Sequence, residues 1–286
     1  MKQLRISSSF NLHCHSKDDV NEYVRAGFRF YKEAGFDAVD FGTTLLDLSS
    51  DGWRPQVEQI LTDCDKFGIR CEMGHLPFMN GMSKDEAVME KFKSKMHRAI
   101  DAAAMLGIEY AVMHPNAANM PMREYDHKEQ YNGVIDLLGP FVEHADRVGL
   151  KVVLENMRVV PGLMHVHRFG QSPDEICDVA DSLGMGICWD FGHANISGVN
   201  QSESLAYVGK RLKVIHVNDN TGIEDDHILP FTGNVDWRDA MHGLALAEYD
   251  GLFNFELNLK RVPAAMRKIY AAYLIESAKE LMSYIE

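Results

Sequence analysis

Histidine and carboxylate side chains recur at, or shortly after, the ends of short apolar runs in this sequence. Seven of the 13 histidines do so, namely His13, His15, His75, His114, His193, His216 and His227. Four carboxylates follow the same pattern, namely Glu155, Asp190, Asp225 and Glu256. Imidazole and carboxylate groups bind metal ions and transfer protons. The pattern therefore predicts one site that is assembled from residues far apart in the chain.

The strongest candidates for a metal site are Glu155, Asp190, His216 and Glu256, which fall at the ends of four successive runs. Three carboxylates and one imidazole form a hard donor set. Such a set suits Mn²⁺, which we expect to be preferred, with Co²⁺, Mg²⁺ or Zn²⁺ as alternatives. Converging carboxylates with no lysine or arginine among them repel one another unless a cation lies between them. The sequence therefore predicts one bound divalent metal.

A second cluster is formed by His193, Asp225 and His227. Two imidazoles and a carboxylate match a zinc site, but contact of this loop with substrate explains the same residues equally well. A second metal and a role in substrate binding therefore both stay open. Substrate contacts are also predicted for the other residues at strand ends, namely His75, His114, Asn156, His13 and His15.

These candidates are positioned by a regular alternation of strand-like and helix-like segments. The strand-like runs are LRISSSF (4–10), DAVDFG (37–42), IRCEMGH (69–75), EYAVMHP (109–115), KVVLEN (151–156), MGICWD (185–190), KVIHVND (213–219) and LFNFELN (252–258). Between them, apolar residues recur at spacings of three and four, which predicts amphipathic helices. Five helices are expected to end at a glycine just before a strand, namely at Gly35, Gly68, Gly107, Gly149 and Gly184.

Eight nearly continuous apolar strands separated by helices favour a parallel sheet that is covered on both faces. The sequence has no glycine-rich dinucleotide-binding turn, so a closed ring is favoured over an open sheet. We therefore expect an α/β fold, a single (β/α)8 TIM barrel that forms one domain over residues 1–286. A helix at about 263–285 is expected to close the ring. In such barrels the active site lies at the carboxyl ends of the strands, where the candidates fall.

The composition argues against several classes of protein. Acidic residues outnumber basic ones 42 to 29, giving a formal net charge of −13, so nucleic acid is not expected as a partner. No run is apolar enough for a transmembrane helix and no signal-peptide core is visible, so no membrane association is expected. The five cysteines form no C-x-x-C pair and are expected to be reduced thiols in a cytoplasmic protein. A homo-oligomer is compatible with a barrel of this kind.

The motifs around the candidates resemble those of the xylose isomerase-like TIM-barrel family, which includes sugar and sugar phosphate isomerases and epimerases and the endonuclease IV group. The motifs are VVLEN (Glu155), ICWDFGHAN (Asp190, His193), KVIHVND (His216), DDHILPFTGNVDW (Asp225, His227) and FNFEL (Glu256). They run in order from about residue 69 to residue 256. The resemblance implies that Glu155, Asp190, His216 and Glu256 bind one divalent metal. It also implies that the two glutamates act as acid and base.

By this resemblance the chain is expected to be a metal-dependent isomerase or epimerase of a small sugar, cyclitol or related polyol. Its chemistry would be proton transfer through an enediolate. Two positions depart from relatives. Gly222 stands where ketose 3-epimerases typically carry an arginine, and Phe231 stands where relatives have a glycine, so Phe231 is expected to intrude on the site. No glycine-rich phosphate cradle is present, which favours an unphosphorylated substrate.

Two alternatives stay open. The first is an endonuclease-IV-like phosphodiesterase with three zinc ions. The resemblance places residues at all nine ligand positions of such a site, namely His75, His114, Glu155, Asp190, His193, His216, Asp225, His227 and Glu256. However, Asp226 stands where those relatives carry an arginine that would face phosphate. The second alternative is the barrel subunit of a heteromeric enzyme that cleaves glycosides and requires a partner chain.

Overall fold

The eight expected strands are present in a computed structural model, which describes residues 5–13, 19–79, 81, 83–160, 165–259 and 262–285. The barrel strands are β1 (Ile6–Ser8), β2 (Ala38–Gly42), β3 (Arg70–His75), β4 (Tyr110–Met113), β5 (Lys151–Glu155), β6 (Gly186–Asp190), β7 (Leu212–His216) and β8 (Phe253–Phe255). Each strand overlaps the apolar run that predicted it. The alternation of apolar runs with helices therefore located all eight barrel strands.

Strands β2 to β7 form one continuous parallel sheet, in which each strand neighbours the next barrel strand in the chain. Strand β1 pairs in parallel with β8, with Ile6 opposite Phe253. Parallel bridges from Ser9 to Asp40 and from Val217 to Phe255 connect this pair to the two edges of the sheet. The sheet is thereby closed into a TIM barrel, as predicted.

Helices surround the ring of strands. They are α1 (Val20–Ala34), α2 (Trp53–Phe67), α3 (Glu86–Leu106), α4 (His127–Val148), α5 (Pro173–Leu183), α6 (Phe191–Ser197), α7 (Gln201–Val208), α8 (Trp237–Leu246) and α9 (Arg267–Ser283). Helices α1 to α5 end at the five predicted glycines, whose φ angles run from +65° at Gly68 to +94° at Gly35. Within the described part of the chain, none of these helices is long and apolar enough to cross a membrane.

The apolar core has two layers. Inside the barrel lies a compact cluster made of Met73, Val112, Val153, Cys188 and Val214. Because successive side chains of a strand point to opposite faces, the alternate residues pack outward against the helices. Large, fully buried aromatic residues such as Phe28, Phe41 and Trp53 fill that outer layer. The strand ends are therefore fixed by packing on both faces of the sheet.

Two further strands lie outside the barrel. Asn119–Pro121 follows β4 and Val166–Arg168 follows β5, and the two pair in an antiparallel manner. We call this pair the outer ribbon. Each strand has only three residues, too few for the alternation of apolar and polar residues to show in the sequence.

Candidate functional site

Four of the predicted residues converge at one rim of the barrel. Glu155, Asp190 and His216 are the last residues of β5, β6 and β7, and Glu256 directly follows β8. Because parallel strands all end at the same rim, their terminal side chains point to a common place. One ligand atom from each residue lies within 4.8 Å of the ligand atoms of the other three. We call these four residues the quartet.

The Nδ1 atom of His216 lies in the middle of the quartet. It is 3.1 Å from Glu155 Oε1, 3.2 Å from Glu256 Oε2 and 4.0 Å from Asp190 Oδ2. Glu155, Asp190 and His216 are almost completely buried, whereas the side chain of Glu256 is 24% exposed. Glu256 is therefore the carboxylate of the quartet that is most accessible to a molecule entering from solvent.

Two buried asparagines fix the position of Asp190. The side-chain oxygen of Asn156 accepts the backbone N–H of Asp190 at 2.6 Å, and its nitrogen donates to the Asp190 carbonyl oxygen at 3.0 Å. The Nδ2 atom of Asn218 donates to Asp190 Oδ2 at 2.7 Å. Asn156 was predicted to contact substrate, but its side-chain amide is hydrogen-bonded to the backbone of Asp190.

Burial makes the charges of the quartet depend strongly on one another. Burial raises the pKa of Glu155, but the nearby His216 and His114 outweigh this effect and hold that pKa well below its usual range. Burial lowers the pKa of His216, yet Cys188, Glu256 and Glu155 together raise it well above its usual value. The quartet therefore attracts positive charge, whether as a proton on His216 or as a metal ion.

The donor set of the quartet fits a hard divalent cation. In the described part of the chain, the ion pairs of Glu155 and Glu256 are all with histidines and none is with lysine or arginine. The buried Oε2 atom of Glu155 lies 2.9 Å from His114 Nε2, its nearest ion-pair partner among the described residues. Oxygen-rich sites with one imidazole suit Mn²⁺ and similar ions.

The second predicted cluster also comes together. Asp225 Oδ1 lies 3.1 Å from His227 Nε2 and 3.5 Å from His193 Nε2. The Nδ1 atom of His193 donates to the carbonyl oxygen of Asn156 at 2.8 Å, and that of His227 donates to the carbonyl oxygen of Glu256 at 3.0 Å. These backbone contacts fix the orientation of both rings and direct both Nε2 atoms toward Asp225.

The carboxylate of Asp225 is shared with an arginine. Its Oδ2 atom lies 2.9 Å from Arg158 Nε. Burial raises the pKa of Asp225, but hydrogen bonds with His193 and His227 outweigh it and hold the pKa far below its usual range. Ligand atoms of Asp190, His193 and His227 also lie within 4.8 Å of one another. The geometry is thus compatible with a second cation and equally with a polar contact to substrate.

His227 has a backbone conformation that is costly for a residue with a side chain, with φ at +47°. Backbone hydrogen bonds on both sides hold it in place. Asp219 and Ile228 exchange two such bonds of 3.0 and 2.9 Å, and Asn258 donates to the His227 carbonyl oxygen at 2.9 Å. The surrounding loop therefore imposes the conformation that orients the His227 imidazole.

His75 is held by Asp40, a residue that the sequence analysis missed. The Nδ1 atom of His75 donates to Asp40 Oδ1 at 3.1 Å, and its Nε2 lies 3.4 Å from Glu256 Oε1. The ring stacks on that of His216 with centroids 4.8 Å apart. Burial lowers the pKa of His75, but Asp40 and Glu256 outweigh it and raise it to about 9. A charged residue inside the apolar run DAVDFG was the signal that could have identified Asp40.

A cavity of about 360 Å³ opens at the same rim of the barrel. Its lining includes Asp40, His75, His227 and Glu256. Cavities in this range of volume accommodate small molecules. The two carboxylates and two imidazoles in its wall offer several hydrogen-bonding groups to a polar ligand.

The two histidines after β1 were also predicted to contact substrate. The ring of His13 packs against Tyr23 and Phe10, with centroid distances of 4.3 and 4.9 Å. Its Nε2 atom donates to the carbonyl oxygen of Tyr23 at 3.0 Å. The structure therefore places His13 in the packing between β1 and α1. His15 lies outside the described residues.

The loop between β7 and α8 corrects one expectation. Phe231 is 42% exposed, and its ring lies 6.3 Å from that of Trp237 and 6.5 Å from that of Tyr284. It points toward the outer helices, so the expectation that it intrudes on the site is wrong. The close approach occurs at Gly233, where a Cβ would lie 2.2 Å from a backbone carbonyl oxygen. Gly222 has φ at +76°, a conformation in which the arginine of relatives would be strained.

Comparisons with known proteins agree with this architecture. A sequence-family model described as xylose isomerase-like TIM barrel matches residues 28–276. An uncharacterized protein of Methanocaldococcus jannaschii is 29% identical over 207 residues, which cover 70% of this chain and 69% of that protein.

Solved structures resemble the chain over nearly its whole length. A D-allulose 3-epimerase from Methylomonas sp. superposes with a TM-score of 0.77 and 18% identity, covering 98% of this chain and 99% of that one. A 3-keto-D-glucoside 4-epimerase from E. coli superposes with a TM-score of 0.72 and 18% identity, covering 96% of this chain and 100% of that one. At these identities the likeness establishes the fold.

Proposed function

Because the chain belongs to the xylose isomerase-like TIM-barrel family, we propose that it is a divalent-metal-dependent isomerase or epimerase of a small sugar, cyclitol or polyol. The convergence of the quartet within 4.8 Å at the rim of the barrel carries the proposal. Two similar folds belong to proteins described as a sugar 3-epimerase and a sugar 4-epimerase, which supports the same class of reaction.

We propose that Glu155, Asp190, His216 and Glu256 hold one metal ion, with Mn²⁺ preferred and Co²⁺, Mg²⁺ or Zn²⁺ as alternatives. A cation held there would supply positive charge beside the substrate oxygens, where negative charge develops when a proton leaves the neighbouring carbon. In support of this set, Asn156 and Asn218 hold Asp190 in a fixed orientation through hydrogen bonds of 2.6 to 3.0 Å.

Glu256 and Glu155 are the proposed proton-transfer pair. Glu256 lines the cavity, so its carboxylate can reach a carbon-bound proton of a molecule bound there. Burial raises the pKa of Glu256, but the positive charge of His216 outweighs it and lowers the pKa below its usual range. Glu256 is therefore ionised at neutral pH and able to accept a proton. Glu155, beside His114, is the proposed second carboxylate: it would take up a proton that originates from solvent and deliver it to the carbon, which balances the proton removed by Glu256.

Two imidazoles, of His75 in the cavity wall and of His114 beside Glu155, are proposed to bind substrate hydroxyl groups. His75 lies in the cavity wall and is oriented by Asp40 through a hydrogen bond of 3.1 Å. His114 lies 2.9 Å from the buried Glu155 oxygen. Fixed donors of this kind keep a polyol in one orientation, so that one of its carbons faces the proton-transfer pair.

Exchange of hydrogen between substrate and solvent tests the proposal. Protein loaded with Mn²⁺ is incubated in D₂O with a panel of ketoses and inososes. NMR then follows deuterium incorporation at the carbon beside the carbonyl. Exchange is expected for the wild type, and Glu256→Gln should slow it by about 100-fold or more, because a carboxamide cannot accept the proton. Exchange by the purified chain alone would also remove the need for a partner subunit.

A matched control comes from the other end of the barrel. Glu109 is a carboxylate whose side chain is 56% exposed and paired with Lys151. Glu109→Gln removes the same negative charge and should leave exchange unchanged. Full activity of the double variant with Glu155→Gln and Glu256→Gln would overturn the assignment of the proton-transfer pair.

A second candidate function is a zinc-dependent phosphodiesterase. One observation favours it, because Asp190, His193 and His227 form a further group with ligand atoms within 4.8 Å. Two observations argue against it. Arg158 forms an ion pair with Asp225, so that carboxylate is already engaged, and the net charge of −13 repels DNA. Incision of a duplex with an abasic site by zinc-loaded protein would establish this function in place of the first.

A further inference from the structure

A second cavity opens beside the one that Glu256 lines. It has a volume of about 650 Å³, compared with about 360 Å³ for the first. Its wall is formed by the segments that follow β7 and β8, together with the start of α9. We call the cavity that Glu256 lines the rim cavity and the larger one the side cavity. The described lining of the side cavity includes no member of the quartet, so proton transfer does not account for it.

The two cavities have two lining residues in common, His227 and Asn258. The backbone N–H of Asn258 donates to the His227 carbonyl oxygen at 2.9 Å, so these residues meet and form a partition between the cavities. The Nδ1 atom of His227 donates to the carbonyl oxygen of Glu256 at 3.0 Å. The partition therefore contacts a member of the proposed proton-transfer pair. A group attached to a sugar in the rim cavity has to pass only this partition to enter the side cavity.

The side cavity presents mainly apolar side chains. They are Ile228, Leu229, Leu259, Val262 and Tyr270. All except the buried Leu259 are half-buried. A polar residue of the same wall, Thr232, uses its hydroxyl within the wall, where Oγ1 donates to the Leu229 carbonyl oxygen at 2.6 Å. Apolar surface left partly exposed inside a hollow is covered favourably by an apolar ligand.

The rim cavity has a different chemical character. Asp40, His75 and Glu256 lie in its wall and offer charged and hydrogen-bonding groups. Such a wall suits the hydroxyl and carbonyl groups of a sugar or cyclitol, whereas the wall of the side cavity does not. The two adjoining cavities are therefore suited to the two ends of one ligand, a polar ring and an apolar substituent.

A buried arginine connects the walls of the two cavities. Arg267 is 8% exposed, and its guanidinium donates to the carbonyl oxygens of Leu259 at 2.6 Å and Val262 at 3.0 Å, both in the side cavity. It also donates to the carbonyl oxygen of Asn11 at 3.0 Å, and Asn11 lines the rim cavity. The spacing between the two cavities is thus fixed by hydrogen bonds to one side chain.

The opposite wall of the side cavity is anchored to α9. The hydroxyl of Tyr273 donates to the Pro230 carbonyl oxygen at 2.8 Å, next to Leu229 in the chain. The backbone N–H of Thr232 donates to the Leu229 carbonyl oxygen at 3.2 Å and closes a turn. Both walls are therefore formed before a ligand binds, so little entropy is lost in ordering them.

We propose that the substrate is a sugar or cyclitol with an apolar substituent, such as the aglycone of a glycoside, and that the side cavity binds this substituent. The polar ring lies in the rim cavity with its reacting carbon beside Glu256, and the substituent extends past His227 and Asn258. A free sugar in the rim cavity would leave the apolar wall of the side cavity in contact with water, whereas the substituent covers it.

This inference rests on the proposed function, because it names the class of substrate within it. It narrows a small sugar, cyclitol or polyol to derivatives that carry an apolar group. Each methylene group that such a substituent buries is expected to tighten binding by about threefold to fourfold. The side cavity would therefore contribute to affinity and to the choice of substrate, while proton transfer takes place in the rim cavity.

Binding of a small apolar probe tests the side cavity without reference to catalysis. 4-Fluorophenol is titrated into the protein and its binding is followed by ¹⁹F NMR. Leu229→Asn keeps the length of the side chain but makes it polar, and should weaken binding by about fivefold or more. Leu246→Asn makes the same change at a leucine of α8 that is 50% exposed, and should leave binding unchanged. A wild type that does not bind the probe would overturn the proposal.

Leu229 packs partly against the core, so its variant needs a check on folding. Circular dichroism and the midpoint of thermal unfolding provide it. Val262→Trp is an independent variant that fills the side cavity with a larger side chain instead of making its wall polar, and it should abolish binding of 4-fluorophenol. Wild-type affinity in a folded Val262→Trp variant would contradict the assignment of the side cavity.

The second arm measures deuterium exchange with two matched probes, methyl and phenyl 3-keto-β-D-glucoside, which differ only in the apolar group. We expect kcat/KM to be at least about tenfold higher for the phenyl probe. Leu229→Asn should remove this preference mainly through KM and leave exchange of the methyl probe within about twofold. A merely structural role of Leu229 would instead lower the rates of both probes alike.

The two arms separate the two proposals. Equal kcat/KM for the methyl and phenyl probes, or 4-fluorophenol binding that neither variant weakens, would overturn the apolar site and leave the isomerase or epimerase proposal in place. Binding of 4-fluorophenol that both variants weaken, without deuterium exchange in any sugar, substituted or free, would overturn the proposed function and leave the apolar site.

Discussion

The two ends of strand β5 carry charge in opposite ways. At its start, Lys151 pairs with Glu109 at 3.1 Å, and both side chains are more than half exposed. At its end, Glu155 is 1% exposed and lies among other carboxylates and imidazoles. An exposed pair of opposite charges contributes only about 0–1 kcal/mol and requires nothing further. A buried group of like charges costs stability unless a cation joins it, so it marks a functional site.

The cavities at the two ends of the barrel also differ in the charges of their walls. The amino-terminal end has a cavity of about 590 Å³, larger than the one of about 360 Å³ at the carboxyl rim. In its wall, however, basic residues such as Arg5 and Lys213 stand beside Glu72 and Glu109 and offset their charge. The balance of charge, rather than volume, therefore distinguishes the candidate site.

The largest expected effect contrasts the two ends of β5 directly. Glu155→Gln should lower the rate of deuterium exchange by about 10²–10⁴-fold, because it removes one member of the proton-transfer pair. Lys151→Gln, at the other end of the same strand, should stay within about twofold of the wild type. Steady-state exchange rates measured by NMR check both. Similar losses in the two variants would mean that β5 matters for stability alone.

A smaller effect is expected from a residue that only orients a ligand. Asn218→Ala removes the hydrogen bond of 2.7 Å to Asp190 Oδ2 and should weaken metal binding by about 10–100-fold. Asn234→Ala, at an exposed position between the same β7 and α8, is the control and should retain affinity. Competition with a fluorescent metal indicator measures both constants. Unchanged affinity in Asn218→Ala would exclude Asp190 as a ligand.

Stability should respond differently to the same substitution in the loop between β7 and α8, which contains Gly233, and in helix α4, which contains Gly139. Gly233→Ala would press a Cβ to 2.2 Å from a backbone oxygen and should destabilise the fold by about 1–3 kcal/mol. Gly139→Ala, within α4, meets only Leu183 at 3.8 Å and should stabilise by about 0.5–1 kcal/mol. Urea unfolding measures both changes, and equal signs would contradict this contrast.

The smallest effect concerns the anchor of the outer ribbon and depends on pH. Burial raises the pKa of Glu175, but hydrogen bonds from His167, Tyr125 and Gly170 outweigh it and lower the pKa. A lowered pKa contributes stability that is present above the unfolded value of about 4.3 and lost as the pH falls through the folded value. Glu175→Gln should therefore cost about 1 kcal/mol at pH 7. Thermal unfolding should show this difference shrinking below about pH 4, and a constant difference would contradict it.

The sequence predicted the barrel because strands buried on both faces are nearly continuous apolar runs. The agreement is close for β5, predicted as 151–156 and observed as Lys151–Glu155. It is looser for β1 and β8, which have only three residues each. There the predicted runs extend beyond the strands, to Ser9, which forms a bridge with Asp40, and to Glu256, which lies in the loop after β8. Contacts with neighbouring segments, rather than the local sequence, decide the conformation of these two residues.

The quartet could be named from the sequence because each member falls at a strand end, and strand ends share a rim. Contacts between side chains of distant segments could not be predicted in this way. The pairs of Asp40 with His75 and of Arg158 with Asp225 each join a predicted candidate to a residue of a distant segment, and nothing in the sequence indicates that pairing. The rings of His97 and His144 meet between α3 and α4, with Nδ1 atoms 2.7 Å apart, and the pattern of neither helix indicates this contact. The periodicity of one helix does not reveal which neighbour it faces.

The central claim is that the quartet binds one divalent metal, and the metal content of the purified protein tests it most directly. Mass spectrometry should find about one equivalent of manganese, cobalt or magnesium per chain. That metal should be lost in His216→Ala and kept in His242→Ala, which alters an exposed histidine of α8. Equal metal content in the two variants, or about two to three equivalents of zinc in the wild type, would contradict the account.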